Sequence, residues 1–230
     1  MRTKKLLFLI VVYFLFTVIS VSAQKTEDRT VGTFTSISMG IHGDVYVSQG
    51  PTQKLTIEAE EGVLGLIETE VKNNELRIRF SQNWVKTKIP IRIWITNAEI
   101  EGLYLSGSGN IITETPIKTN EIELKLSGSG NINVKDLSCD EADAAISGSG
   151  NIDVAGSANE LAIAISGSGN CNADKLQTSE TDVKISGSGD CRVNATKELS
   201  VAVSGSGSVY YAGNPKIDAS VSGSGKIREL

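Results

Sequence analysis

The chain has one histidine, His42, and three cysteines, Cys139, Cys171 and Cys191. One histidine is too few for a His-based metal site or a Ser-His-Asp triad. An odd number of cysteines excludes a complete disulfide framework, and their spacings of 32 and 20 residues match no zinc pattern. Aromatic residues make up only 5 % of the chain, against 23 glycines, a balance that points to repetitive β-structure rather than a compact mixed core. Past Gln24 no apolar run is long enough to cross a bilayer as a helix. Positive charge is also scarce. Setting aside Arg2, Lys4 and Lys5, the 22 Lys/Arg fall to 19 against 27 Asp/Glu, a net charge of −8, which argues against nucleic acid and anionic lipid as partners.

The one long apolar run, Leu6 to Ile19, follows those three basic residues and precedes the small-residue site Val21-Ser22-Ala23. This pattern predicts a secretory signal peptide over residues 1–23, and hence export to the periplasm, the outer-membrane surface or the medium. No cysteine follows the cleavage site to carry a lipid anchor. The mature chain of 207 residues is read as a short N-terminal segment, 24–33, and one structural domain, 34–230.

Within that domain Ser-Gly-Ser-Gly occurs seven times, starting at Ser106, Ser127, Ser147, Ser166, Ser186, Ser204 and Ser222, at intervals of 18 to 21 residues. Alternation of apolar and polar residues runs straight through each copy. In the second, Ile122, Leu124, Leu126, Gly128, Gly130, Ile132 and Val134 share one parity, while Ser127, Ser129, Asn131 and Asn133 take the other. Strands send alternate residues to opposite faces, so the glycines point inward and the serines outward. A linker would not keep parity across itself.

A run of 13 extended residues would reach about 43 Å, whereas a coil of about 20 residues with walls about 10 Å apart has sides of only about 23 Å. The run must therefore bend, and glycine pairs are the least costly place to do it. The sequence predicts an all-β, parallel β-solenoid with Ser-Gly-Ser-Gly at one corner of each coil. Regular coils occupy 106–230. Residues 34–105 form degenerate first coils and a cap, with strands at Leu55–Ala59, Leu76–Phe80 and Ile89–Ile95 and a turn at Lys72-Asn73-Asn74. Aligning "MGIHGDVYV" with "LSGSGNINV" sets Gly43, Asp44, Val45 and Val47 against Gly130, Asn131, Ile132 and Val134, with His42 at a serine position. The C-terminal edge is short of cover, either blunted by Lys226, Arg228 and Glu229 or available for self-association.

The outward columns supply the candidate binding surface: Ser106, Ser108 and Asn110; Ser127, Ser129 and Asn131; Ser147, Ser149 and Asn151; Ser166, Ser168 and Asn170. Such columns form either a structural polar ladder or an array of hydroxyls and amides that binds glycans or another ordered surface. Trp84 and Trp94, with Lys86, Lys88, Arg77 and Arg79, form the one aromatic and basic concentration, read as cap packing or as a sugar-stacking or partner-contact patch. Glu58, Glu60, Glu61, Glu68 and Glu70 read as a solvated face. Cys171 and Cys191 fall in one inward column and read as small buried hydrophobes, with an intercoil disulfide as the alternative. Ser-Gly-Ser-Gly-Asn supplies neither the calcium-binding nonapeptide of β-rolls nor a phosphate-binding loop, and no residue pattern implies a cofactor, metal or catalytic group.

The succession "FTSISMGIHGDVYVSQG", "LTIEAEE", "NNELRIRF", "IPIRIWITNAEIEGLYLSGSGNI" and repeated "LSGSGNI" resembles the auto-transporter adhesin head domain, or head GIN domain, of Gram-negative bacteria. The resemblance runs from about Phe34 to Gly225. It implies a right-handed parallel β-helix exported to the cell envelope. The chain reaches Leu230 with no membrane barrel of its own, so a head that exports itself is not expected. The function that follows is a non-enzymatic envelope or secreted module with a glycan or protein ligand. A polysaccharide-acting β-helix enzyme and a purely structural spacer are the alternatives.

Overall fold

Alternation of Ile, Val and Leu with polar residues produces strands throughout, and in the computed structural model, which describes residues 24–230, these wind into a β-solenoid of about six turns with about 20 residues per turn. The expected signal peptide lies outside the described residues. The strands are β1 (Gln24–Asp28), β2 (Ser36–Met39), β3 (Asp44–Gln49), β4 (Lys54–Glu60), β5 (Ile67–Lys72), β6 (Glu75–Phe80), β7 (Arg92–Asn97), β8 (Gly102–Leu105) and β9 (Asn110–Thr113). They continue with β10 (Ile117–Lys118), β11 (Glu121–Leu126), β12 (Asn131–Gly148), β13 (Asn151–Gly167), β14 (Asn170–Gly187) and β15 (Cys191–Gly205). The last are β16 (Val209–Ala212), β17 (Lys216–Gly223) and β18 (Ile227–Glu229), and the one helix among the described residues, α1 (Glu61–Leu64), follows β4.

From β8 onward each rung lies parallel on the one before. Glu123 to Leu126 pair with Gly102 to Leu105, Glu121 to Leu126 with Glu141 to Ile146, and so on to Lys216 to Gly223 on Glu198 to Gly205. The inward residues of one rung, for example Ile122, Leu124, Leu126, Ile132 and Val134, are at most 2 % exposed. Burying each such side chain stabilises the rung by about 1.5–3 kcal/mol.

The strands break over all four residues of the first two Ser-Gly-Ser-Gly copies and from the second serine in the later five, as at Ser149-Gly150, so the repeat does turn the corner. Its two glycines are required for different reasons. Gly148 has φ +154°, and a Cβ there would lie 2.4 Å from the carbonyl oxygen of Gly128 on the preceding rung. Gly150 has no positive φ, but its Cβ would meet the Gly130 oxygen at 2.0 Å and Leu126 Cδ2 at 2.7 Å. The backbone that comes close is that of the rung below, not the opposite wall of the coil. The approach is used: Ser149 N and Gly150 N both donate to Gly128 O, at 2.9 and 3.1 Å.

The N-terminal cap is ordered differently in space than in sequence. β2 and β3 pair on one side with β8 and β9, and on the other with β6 and β7. The terminal rung is thus β6–β7, and the segment first in sequence is second in the stack. Asp44 pairs with Asn110 and Asn110 with Asn131, which is the register expected from aligning Gly43 with Gly130. The open edge is then closed by antiparallel pairing: β4 on β7, β1 on β4, and β5 on β6 through a turn whose Asn73 and Asn74 have φ 53° and 59°. Antiparallel strands cannot extend the parallel stack, so the solenoid ends there. Val63, Leu64 and Ile67 seal the core beneath. The sequence pattern does not announce β1, β5 or α1, and β7 starts at Arg92 rather than Ile89.

The acidic residues of the cap do not form a free solvated face. Glu58 pairs with Arg92 at 3.1 Å, Glu61 with Lys25 at 3.0 Å, and Glu68 and Glu70 with Arg79 at 2.9 and 3.6 Å. Glu60 accepts from the backbone N–H groups of Lys88 and Ile89.

Candidate binding surface

Rung stacking aligns the outward residues into columns whose use can be read from their hydrogen bonds. The asparagine column is bonded along the axis. Asn110 Nδ2 donates to Asp44 Oδ1 at 2.7 Å, Asn131 to Asn110 at 2.9 Å, Asn151 to Asn131 at 3.0 Å and Asn170 to Asn151 at 3.0 Å. The ladder ends where the side chain changes: Asp190 N donates to Asn170 Oδ1, and Ser208 N to Asp190 Oδ1. Asn110, Asn131, Asn151 and Asn170 therefore spend one donor and one acceptor each on holding rungs in register.

The serines beside them are differently placed. Ser108, Ser127, Ser129, Ser147, Ser149, Ser166 and Ser168 are exposed, and among the described residues their hydroxyls have no protein partner. Ser106 alone of the candidate serines donates, to Met39 O at 3.4 Å. The corner is thus a ridge of hydroxyls spaced by about 4.8 Å along the axis.

The two tryptophans do not form one patch, because residues 81–91 turn the corner of the terminal rung between them. Trp94 lies on the β7 wall, outward from buried Ile93 and Ile95, and stacks on Tyr46 of the next rung with centroids 5.7 Å apart and planes at 17°. Arg77 and Arg79 lie on β6, across the corner, held by Glu75, Glu68 and Glu70. Trp84 sits in the corner loop and is 93 % exposed with φ +66°, a conformation that costs a bulky residue on the order of 1 kcal/mol or more. The loop is pinned at its base by Glu60, and by His42 Nε2 against Thr87 Oγ1 at 3.2 Å. His42, at the position of a corner serine, packs on Phe80 with ring centroids 5.1 Å apart. Trp84 is consequently presented at the cap end of the serine ridge.

A further column escaped sequence reading. Register sets Glu121, Glu141, Glu160, Glu180 and Glu198 one above another, and the last four line an acidic trough with Asp143 and Asp182. The signal was present: each glutamate stands six residues before the first serine of its repeat. All five are exposed, so they lack the contrast of apolar and polar surroundings that divides paired carboxylates into an acid and a base. Among the described residues no three His, Cys, Asp or Glu side chains are grouped to hold a metal ion, and no helix is long and apolar enough to cross a membrane.

Cys171 and Cys191 are register neighbours, fully buried and unbonded to each other as a disulfide. The hydrogen bond between the two thiols, together with burial, pushes the Cys191 thiol above its ordinary range. Half-buried Cys139 is pushed up to about 11 by burial and the charge of Asp140. Neither Cys139 nor Cys191 is a ready thiolate at neutral pH.

Residues 33–215 match the family described as "Putative auto-transporter adhesin, head GIN domain". The chain belongs to this family. Several proteins of known structure share its architecture. A protein from Bacteroides fragilis NCTC 9343 titled a putative adhesin is 28 % identical, with a TM-score of 0.86 over 90 % of this chain and 97 % of that one. A protein from Parabacteroides distasonis ATCC 8503 titled a putative lipid binding protein is 24 % identical, with a TM-score of 0.75 over 90 % and 96 %. An adhesin-titled protein from Parabacteroides merdae ATCC 43184 is 23 % identical, with a TM-score of 0.72 over the same shares. A search of curated proteins gives no match.

Proposed function

We propose that this head GIN domain is an exported, non-enzymatic binding module of adhesin type, which lays a glycan along the serine ridge and stacks one sugar ring on Trp84. The observation that carries the reading is Trp84 itself. An indole 93 % exposed at positive φ, on a loop pinned at its base, is held where folding alone would not put it. An exposed indole face suits the C–H face of a pyranose, and a row of unpartnered hydroxyls can exchange hydrogen bonds with sugar hydroxyls at no rearrangement cost. The exposed glutamate column gives less support to a polysaccharide-cleaving enzyme, for want of distinct acid and base environments.

The test is a glycan array probed with the purified protein, alongside Trp84→Ala and a Ser127→Ala/Ser147→Ala/Ser166→Ala variant. Binding that falls about tenfold or more in both variants, with melting unchanged, is the expected result. Absence of any glycan signal, or signal indifferent to Trp84, overturns it. The lipid-binding description of one relative gives a second reading, since Lys86 and Lys88 follow Trp84 in the same loop. Vesicles of neutral and anionic lipid, read by the blue shift of tryptophan fluorescence in wild type against Trp84→Ala, distinguish it.

A further inference from the structure

The two ends of the solenoid are finished in opposite ways. At the cap, antiparallel strands cover the core. At the other end β17 pairs only with β15, and β18 only with β16, leaving one side of each without a partner among the described residues. Every residue of β17 is exposed. Ile217, Val221 and Leu230 are 40, 41 and 59 % exposed, although Ile217 and Val221 occupy the inward columns that Leu199 and Val203 fill one rung earlier at 1 and 3 %.

Three outward columns end in cations at this rung, with Asp218 the one outward acid on β17. The glutamate column ends in Lys216, register partner of Glu198. The asparagine column, continued by Asp190 and Ser208, ends in Lys226. The adjoining column of Asn133, Asp153, Asn172, Arg192 and Tyr210 ends in Arg228. Residues 98–215 carry seven Lys/Arg against 16 Asp/Glu, whereas 216–230 carry three against two. None of Lys216, Lys226 and Arg228 has an ion-pair partner among the described residues. Cations on a free edge discourage pairing with a second copy: a two-fold related β18 would run antiparallel and set Lys226 and Arg228 against the same cations. An acidic strand meets no such repulsion at Lys226 and Arg228, and on β17 its carboxylates can sit at Lys216, clear of Asp218.

We propose that the bare C-terminal rung is a strand acceptor for an extended acidic segment of a partner protein. The segment adds to β17 and β18 by main-chain hydrogen bonds, with alternate apolar residues over Ile217, Ala219, Val221 and Ile227 and carboxylates beside Lys216, Lys226 and Arg228. This surface is separate from the serine ridge, and its occupation does not depend on a glycan ligand.

The probe is an end-blocked peptide of about ten residues alternating valine with glutamate, compared with one in which lysine replaces glutamate. Binding is read by calorimetry and by hydrogen-exchange protection of the β17 and β18 amides. The expected result is protection by the glutamate peptide alone, with about a tenfold preference that inverts in Lys216→Glu/Lys226→Glu/Arg228→Glu. If that variant does not fold, the comparison of the two peptides on wild type still decides. Failure of both peptides to protect the edge overturns the proposal, as does equal binding of both. A dimer in sedimentation at micromolar concentration with the edge already protected also overturns it, by making a second copy the occupant.

Discussion

The cap and the regular coils use their charges in opposite ways. Residues 24–97 contain nine Lys/Arg and nine Asp/Glu, and Lys25, Lys54, Arg79 and Arg92 each pair with an acid on a different element. Residues 98–230 contain ten against 18, with five glutamates stacked on consecutive rungs. A repeat copies whatever residue stands at a given offset, so it places like beside like at each rung. For asparagine that is an advantage, because an amide both donates and accepts, and a column of identical amides satisfies itself. For glutamate it is a cost. The cap is built of dissimilar strands, so it can match opposite charges, and it can stop the stack. Regularity therefore gives the solenoid its length and ladders, and irregularity gives it an end and a presented Trp84.

The sharpest way to break this comparison is through glycine. Gly148→Val and Gly150→Val should each lose on the order of 3 kcal/mol or more, because the rung below must move to admit a Cβ at 2.4 or 2.0 Å from a carbonyl oxygen. Gly148→Val carries the added strain of positive φ. In the cap, Gly62→Ala, with nothing within 4 Å of its Cβ, should stay within about 0.5 kcal/mol of wild type. Chemical denaturation measures all three. Unchanged midpoints for both valine variants would sink the account of the corner.

Those corners were legible in the sequence because parity survives across them, and parity is a local property of strands. The bury-expose pattern of Ile122 to Val134 follows from the alternation alone, and the place of Asp44 in the column of Asn110 and Asn131 follows from aligning Gly43 with Gly130. The order of the cap rungs was not legible. That β6 pairs with β2 on one edge as well as with its neighbour β5 on the other depends on which free strand edge meets which, a non-local choice that Leu76 and Ile78 do not encode. Intervals of 18 to 21 residues hid the glutamate column, which appears only when counted back from each repeat. Trp84 and Trp94 looked like one cluster because sequence proximity does not reveal that a corner lies between them.

A middle-sized effect separates the two outward columns. Asn151→Ala removes both its bond to Asn131 and the one it accepts from Asn170, each 3.0 Å, and should lose about 2 kcal/mol. Ser149→Ala, on the same turn, should change stability by less than about 0.5 kcal/mol. Equal losses, read from melting curves, would mean that the serines too are structural and would remove the free hydroxyls on which the binding surface depends.

The smallest effect tests the stacked acids directly. Glu160 stands in register between Glu141 and Glu180, at about 4.8 Å per rung. Glu160→Lys turns two like-charge contacts into two opposite ones and should raise stability by about 0.5–1 kcal/mol at low salt. All three residues are exposed, so the gain should fade as the screening length drops to about 3 Å near 1 M salt. Glu58→Lys in the cap provides the mirror case, since it abolishes the pair with Arg92 and leaves two cations together, and it should lose a similar amount over the same salt range. Opposite signs at low salt converging at high salt would establish that the repeat, in copying its glutamate, gives up stability that the irregular cap retains. A gain for Glu160→Lys that persists in high salt would assign the effect to packing or propensity instead, and the acidic column would then have no electrostatic cost to explain.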